Sequence, residues 1–204
     1  MKISNCSLIV CQSREHPELG LKKMVRIHIG EYYASRNPIV IYTLLGSCVA
    51  VCLFDPVRRI GGMNHILMPG KADMKYFDAS ARYGINAMEL LINRIMNLGG
   101  SRRRIVAKVF GGARTLPTIS EDVSMGKKNI EFVVEFLKNE TIRIVGKDMG
   151  GTQSRRVYFH ADTGEVFLKR GQPIYQTDIP YSERKLRSKL RYKIEKSSSE
   201  ITLF

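Results

Sequence analysis

The sequence predicts a mixed α/β domain over residues 24–170, and three observations carry that expectation. Short runs rich in β-branched residues outnumber helical ones, and turn residues punctuate them. The two segments of helical period are long and lie centrally in the chain. The composition, 204 residues with 44% hydrophobic and 25% charged, suits a chain that fills one good core.

The elements follow in chain order. Residues 1–23 form a polar lead-in without sustained period, expected to be loosely ordered. Met24–Ile29 alternates apolar and polar, which fits a half-buried strand ended by Gly30. Ile39–Leu45 and Val49–Phe54 are apolar runs separated by Gly46-Ser47 and closed by Asp55-Pro56, so two strands meet at a tight bend. Ile60–Met68 is a third strand, whose Gly61-Gly62 pair signals a bulge or a close backbone approach. Phe77–Leu98 keeps a 3.6 period through Ile85, Met88, Leu91, Ile92 and Ile95, with Asp78 as N-cap and Gly99 at C′. Ile105–Phe110 is a strand running into Gly111-Gly112. Asn129–Leu137 is a second helix, with Ile130, Val133, Val134 and Leu137 apolar. Strands at 142–145, 156–160 and 165–168 complete the domain, the last two a hairpin over Asp162-Thr163-Gly164. Residues 171–204 form a basic extension with few large apolar residues, read as solvated or disordered.

Several function classes drop out at this stage. No run approaches the ~20 apolar residues of a membrane span, and the apolar stretch near the start is shorter than a secretory signal requires. A cytoplasmic location is expected. Four cysteines, Cys6, Cys11, Cys48 and Cys52, are too few to staple a chain of this length, so they are core fillers, metal ligands or nucleophiles. The net charge of +14 favours acidic partners. Arg102-Arg103-Arg104 and the tail are candidates for that attraction, against the plainer reading of a solvated face.

Cys48 follows small residues at a strand bend. Such a bend exposes the next side chain and leaves backbone N–H groups to meet a developing oxyanion. The competing reading is a small buried hydrophobe, the stronger one for Cys52. Among the histidines, His65 is the best candidate base. It lies in an apolar strand, where a hydrogen-bonded core histidine is the plainer reading. The pair says more than either residue. Neighbouring strands would let an imidazole take the thiol proton and later protonate a leaving amine. This requires both groups on one solvent-reachable pocket. Zinc ligation by Cys48, Cys52 and His65, with His28 or Asp55 drafted in, is disfavoured because the cysteines lie on an apolar strand, not a knuckle turn. No GxGxxG, Walker or GxSxG pattern is present.

These residues carry a resemblance to a family. TLLGSCVAVCLFDP (43–56) and GGMNHILMP (61–69) are similar to the signature of the chemoreceptor glutamine deamidases, the CheD family. FGGAR (110–114), MGKKNIEFV (125–133) and DMGGTQSRRVYFHADTGEV (148–166) resemble further segments, in the family's order, including its G-x-x-N and GG-x-x-x-R-x-V patterns. The resemblance implies an α/β sandwich of packed β-sheets covered by helices. It implies hydrolysis of selected glutamine side chains to glutamate on the cytoplasmic helices of chemoreceptors, supporting chemotaxis adaptation. No metal or cofactor is implied. The family nucleophile falls on Cys48 and its base on His65. Its threonine falls on Thr43, with Tyr42 the alternative. The phosphatase CheC is an implied partner in organisms that have it; nucleic acid and membrane insertion are not. The alternatives are a general cysteine amidase or protease using the same dyad, or a basic binding module without catalysis.

Overall fold

The computed structural model describes residues 8–9, 22–68, 74–114, 124–173 and the single positions 185 and 188. Most of the lead-in and of the basic extension, with Cys6 and Cys11, lies outside the described residues. The described strands are β1 (Leu8–Ile9), β2 (Lys23–Arg26), β3 (Tyr32–Ser35), β4 (Ile39–Leu45), β5 (Val49–Asp55), β6 (Ile60–Ile66), β7 (Val106–Gly111), β8 (Arg143–Met149), β9 (Gln153–His160) and β10 (Val166–Pro173). The helices are α1 (Met74–Asn97) and α2 (Met125–Asn139), with a 3-10 turn at Arg102–Arg104.

The strands form two five-stranded sheets, ordered β1-β2-β4-β9-β10 and β3-β6-β5-β7-β8. One core lies between the sheets and contains Ile27, Ile41, Leu45, Cys52, Met63, Val157 and Phe159. A second lies between the β3-β8 sheet and the helices and contains Val51, Leu53, Ile66, Leu91, Ile92, Val133 and Leu137. The architecture is thus the α/β sandwich expected, with its helices on one sheet. Because β5 is covered on both faces, nearly every residue in it is buried, which is why it reads as an unbroken apolar run.

Several boundaries differ from the sequence expectation. α1 begins at Met74, so Asp78 falls inside it and is not its cap. Gly99 does sit past its end, at φ +101, with Gly100 N–H donating to Ile95 O at 3.0 Å. α2 begins four residues before Asn129, where the Ser124 hydroxyl accepts from Lys127 N–H at 3.2 Å. The first predicted strand shortens to β2, and β8, β9 and β10 are longer than read. β3 was not foreseen.

Gly61 and Gly62 mark close approach, not a bulge, since the β5–β6 register runs unbroken from Ile60 to Ile66. A Cβ on Gly61 would lie 2.8 Å from the Phe159 ring, and one on Gly62 would lie 2.7 Å from Leu91 Cδ1. The pair lets β6 fit between the other sheet and α1.

Asp55 ends β5 as a fully buried carboxylate. It accepts from Val57 N–H, Arg58 N–H and Ser101 N–H, and from the Arg104 guanidinium at 2.7 Å. Burial alone would raise its pKa; the hydrogen bonds, led by Arg104, outweigh that and hold it down at about 2. Arg102 in turn bridges Glu89 and Glu140. Two of the three consecutive arginines therefore tie the 3-10 turn to its surroundings. Arg102 and Arg104 are thus engaged in fold contacts.

α2 is pinned to the strands at its first turn. A Cβ on Gly126 would lie 2.2 Å from Gly112 O and 2.7 Å from Ala113 O, both backbone atoms with little room to move. In an ordinary helix, glycine to alanine stabilises by about 1 kcal/mol. Here Gly126→Ala is expected to destabilise by about 1–3 kcal/mol, as overpacking does. A denaturant melt checks the sign.

Candidate active site

Thr43, His65 and the bend before Cys48 gather at one end of the space between the sheets. Along β4, Ile41 and Leu45 face the inter-sheet core, so Thr43 faces it too. Its neighbour Tyr42 points to the outer face and stacks on Tyr158 at 5.9 Å. On β6, His65 stands opposite Ala50 of β5, and Ala50 lines the inter-sheet core.

The imidazole is held across the sandwich. Thr43 Oγ1 lies 2.8 Å from His65 Nδ1 and donates to Ile27 O at 2.8 Å. A hydroxyl has one proton, and a carbonyl can only accept. The Thr43 proton is therefore committed to Ile27, and His65 Nδ1–H must be the donor to Thr43 Oγ1. That assigns the tautomer. It leaves the Nε2 lone pair as the acceptor, and Nε2 is buried with no hydrogen-bond partner among the described residues. Burial, and secondarily the charge of nearby His28, lowers the His65 pKa to about 3. The ring is neutral throughout the physiological range.

Cys48 shares this face. It lies two residues before Ala50, so strand alternation puts it on the side of Ala50 and His65, in the position diagonal to the histidine. Diagonal neighbours in an antiparallel pair lie about 7–8 Å apart along the backbone, with Cβ atoms somewhat nearer, within reach of a long side chain. Cys48 also belongs to the inter-sheet core. The expectation of a solvent-reachable pocket is modified. Cys48 is 1% and His65 4% exposed, so both side chains are buried.

Cys52, two repeats of the pleat further along, is fully buried, and desolvation pushes its thiol far above the ordinary range. This matches its reading as core. Among the described residues no group of three His, Cys, Asp or Glu gathers as a metal site.

The bend itself is held from three sides. Gly112 N–H donates to Cys48 O at 2.7 Å and Ala113 N–H to Gly46 O at 2.9 Å. Asn129, fully buried on α2, donates through Nδ2 to Ser47 O at 2.7 Å, while its Oδ1 accepts from Met68 N–H at 2.9 Å. Asn64, beside the histidine, accepts from Val51 N–H at 3.1 Å and donates to Ala87 O on α1. Neither asparagine was singled out from sequence as a positioning residue. A signal existed for Asn129. It falls on the apolar stripe Gly126, Asn129, Val133, Leu137, where a polar residue must find buried partners.

Thr43→Val removes the hydroxyl that orients the ring and strands both Ile27 O and Nδ1–H. If His65 acts as a base, kcat should fall about 10- to 100-fold through loss of tautomer and alignment. A Thr43→Ser variant, which restores the hydroxyl, should recover most of it.

The two-sheet sandwich thus holds a histidine in one tautomer on the face that it shares with a bend cysteine. The comparisons with known proteins give the family. The model described as "CheD chemotactic sensory transduction" matches residues 67–170, and the chain belongs to this CheD family. A relative from Shewanella oneidensis, named "Probable chemoreceptor glutamine deamidase CheD 1", is 41% identical over 90% of this chain and 88% of its own. One from Methylobacillus flagellatus, named "Probable chemoreceptor glutamine deamidase CheD", is 40% identical over 86% of each chain. Among solved structures, the Bacillus licheniformis hypothetical protein YfiH aligns with a TM-score of 0.37 at 16% identity, covering 58% of this chain and 50% of that one.

Proposed function

We propose that this chain is a chemoreceptor glutamine deamidase, with Cys48 as nucleophile, His65 as general base and acid, and Thr43 as the residue that holds the imidazole. Membership of the CheD family and the names of its relatives support the activity. One observation supports the residue roles above others: the Thr43–His65 hydrogen bond leaves an Nε2 lone pair, unpartnered among the described residues, on the face that Cys48 shares.

The steps balance without a metal or cofactor. His65 Nε2 takes the Cys48 proton as sulfur bonds to the glutamine carboxamide carbon. Backbone N–H groups at the Gly46–Cys48 bend stabilise the oxyanion, each donor worth about 3–4 kcal/mol in such sites. The tetrahedral adduct collapses with cleavage of the C–N bond, and His65 gives its proton to the departing ammonia. A water then attacks the thioester, with His65 taking its proton. Thiol and neutral imidazole return as glutamate leaves. The neutral resting His65 fits a mechanism in which the proton moves during attack, not one that stores a thiolate–imidazolium pair.

A substrate on the cytoplasmic helices of receptors supports a cytoplasmic location for the enzyme. Among the described residues no helix is long and apolar enough to cross a membrane. CheC, in an organism that carries it, would be a protein partner; nucleic acid is not proposed as one. The test is mass spectrometry of a receptor cytoplasmic fragment after incubation with the protein. Conversion of defined glutamines to glutamate with ammonia release is expected. Cleaved backbone instead would favour a protease, and an unmodified fragment would remove the proposal.

A further inference from the structure

Asn129 of α2 is fully buried, and its one carboxamide joins the two segments that carry the proposed dyad. We propose that Asn129 is a positioning residue for the deamidation. It sets the plane of the Ser47–Cys48 peptide and ties that peptide to the strand of His65, so that its loss lowers kcat and spares KM. The inference rests on the roles proposed for Cys48 and His65, and adds a residue that acts through both.

The amide is fixed in orientation by its two partners. Nδ2 donates to Ser47 O at 2.7 Å, and Oδ1 accepts from Met68 N–H at 2.9 Å. A carbonyl can only accept and a backbone N–H can only donate, so the reversed amide would lose both bonds. Ser47 immediately precedes Cys48, and Met68 lies three residues beyond His65, just past the end of β6. One side chain thus ties the nucleophile's bend to the continuation of the base's strand. An apolar residue at this position would continue the stripe of Val133 and Leu137 and need no partners. A buried amide stands there because these bonds offset its desolvation.

The bond to Ser47 O also orients the reacting side of the bend. A trans peptide unit is planar, so its C=O and N–H point in opposite directions. With Ser47 O turned to α2, the Cys48 N–H is turned away from the helix layer, towards the inter-sheet side where Cys48 and Ala50 pack. His65 stands opposite Ala50 on that side. In the proposed reaction the oxyanion forms there, and a donor is effective only when aimed beforehand. Rotation of this plane would swing the donor and the Cys48 backbone together. The carbonyls on either side are held by other groups, Gly46 O by Ala113 N–H and Cys48 O by Gly112 N–H, while Asn129 holds the middle one. α2 is seated to deliver it. Gly126, three residues earlier on the same stripe, packs so close to Gly112 O that a Cβ would not fit.

The test compares wild type with Asn129→Ala and Asn129→Asp on a receptor cytoplasmic fragment. Ammonia release gives kcat and KM from about pH 8 to about pH 5.5, and a thermal melt at each pH gives the folded fraction. Asn129→Ala removes both bonds, so kcat per folded molecule should fall about 10- to 100-fold with KM within about threefold of wild type. Asn129→Asp keeps the acceptor for Met68 N–H, but its ionised form has no proton to give Ser47 O. Its protonated form donates through O–H. Burial raises a carboxyl's pKa above the ordinary ~4, so this form gains as pH falls. The kcat of Asn129→Asp should therefore exceed that of Asn129→Ala by a margin that grows towards acid pH. Three results would overturn the positioning role and leave the deamidase intact: a loss that only tracks the folded fraction, a change confined to KM, or the two variants equally impaired at every pH. Should Asn129→Ala melt below the assay temperature, the isosteric Asn129→Asp decides alone, recovery at constant folded fraction supporting the role and a flat profile overturning it. Wild type that releases no ammonia overturns the deamidase reading itself, and the positioning role with it.

Discussion

Cys48→Ala is expected to abolish ammonia release from a receptor fragment while leaving the protein folded. Without the sulfur there is no acyl-enzyme, and the remaining oxyanion donors and binding contacts supply only residual acceleration; loss of a nucleophile in comparable hydrolases costs on the order of 10⁶ in kcat. The fold should tolerate the change because the site is small and its backbone is held independently. The Cys48 carbonyl accepts from Gly112, the Gly46 carbonyl from Ala113 and the Ser47 carbonyl from Asn129. Removing a side chain of one sulfur atom leaves all three bonds in place. The measurements are ammonia release, site-resolved mass spectrometry and a melt of the same preparation. Full activity in a folded Cys48→Ala protein would remove this thiol from the mechanism and return the residue to its plainer reading as a buried hydrophobe.

That plainer reading was a fair competitor in the sequence, because what separates the two is tertiary. The apolar runs on either side of Gly46-Ser47 announce β4, β5 and the bend. They do not announce that β4 and β5 enter different sheets, which is what lets Thr43 reach across to His65. The choice between Thr43 and Tyr42 was nearer to hand. Period-2 alternation from Ile41 and Leu45 puts Thr43 inward, once those two are known to face the core. β3 escaped because YYAS is short, sits at a sheet edge and lacks a period long enough to read; its partner is the glycine-bearing half of β6.

The family segments show the opposite pattern, recognisable as strings before their physical meaning was visible. The G-x-x-N of α2 is a steric requirement followed by a hydrogen-bond requirement: Gly126 admits the Gly112 carbonyl, and Asn129 clamps Ser47. In the GG-x-x-x-R segment, Arg155 is buried and folds back onto Gly150 O and Asp148. FGGA supplies the N–H groups that grip the bend. Segments scattered over a hundred residues thus converge on one end of the sandwich, where each fixes the backbone around Cys48 or the wall beside it.

His65→Gln is expected to lower kcat by about 10²–10⁴, the usual share of a positioned general acid–base. Glutamine is chosen because it keeps a polar amide in the site while it offers no titratable nitrogen. The pH dependence gives a second and independent signature. A base works only when neutral, and the His65 pKa lies at about 3, below the ordinary 6.5, chiefly through burial. Its acid limb should therefore be displaced downward, so that wild type keeps its kcat/KM between pH 7.5 and 5.5 as far as this group controls it. Stability should respond differently. The unfolded histidine binds a proton below about pH 6.5 while the folded one does not until about 3. Over that window the unfolded state holds more protons, and folding free energy declines as pH falls, by up to about 1.4 kcal/mol per pH unit. The variant has no such proton to bind, so this part of its acid sensitivity should disappear even as its activity does. An acid limb near 6.5 in the wild type, with no change in the pH slope of stability on substitution, would show that the imidazole is neither desolvated nor held neutral. The proton transfer would then have to begin from a different resting state, with the charged ring already paired to the thiolate.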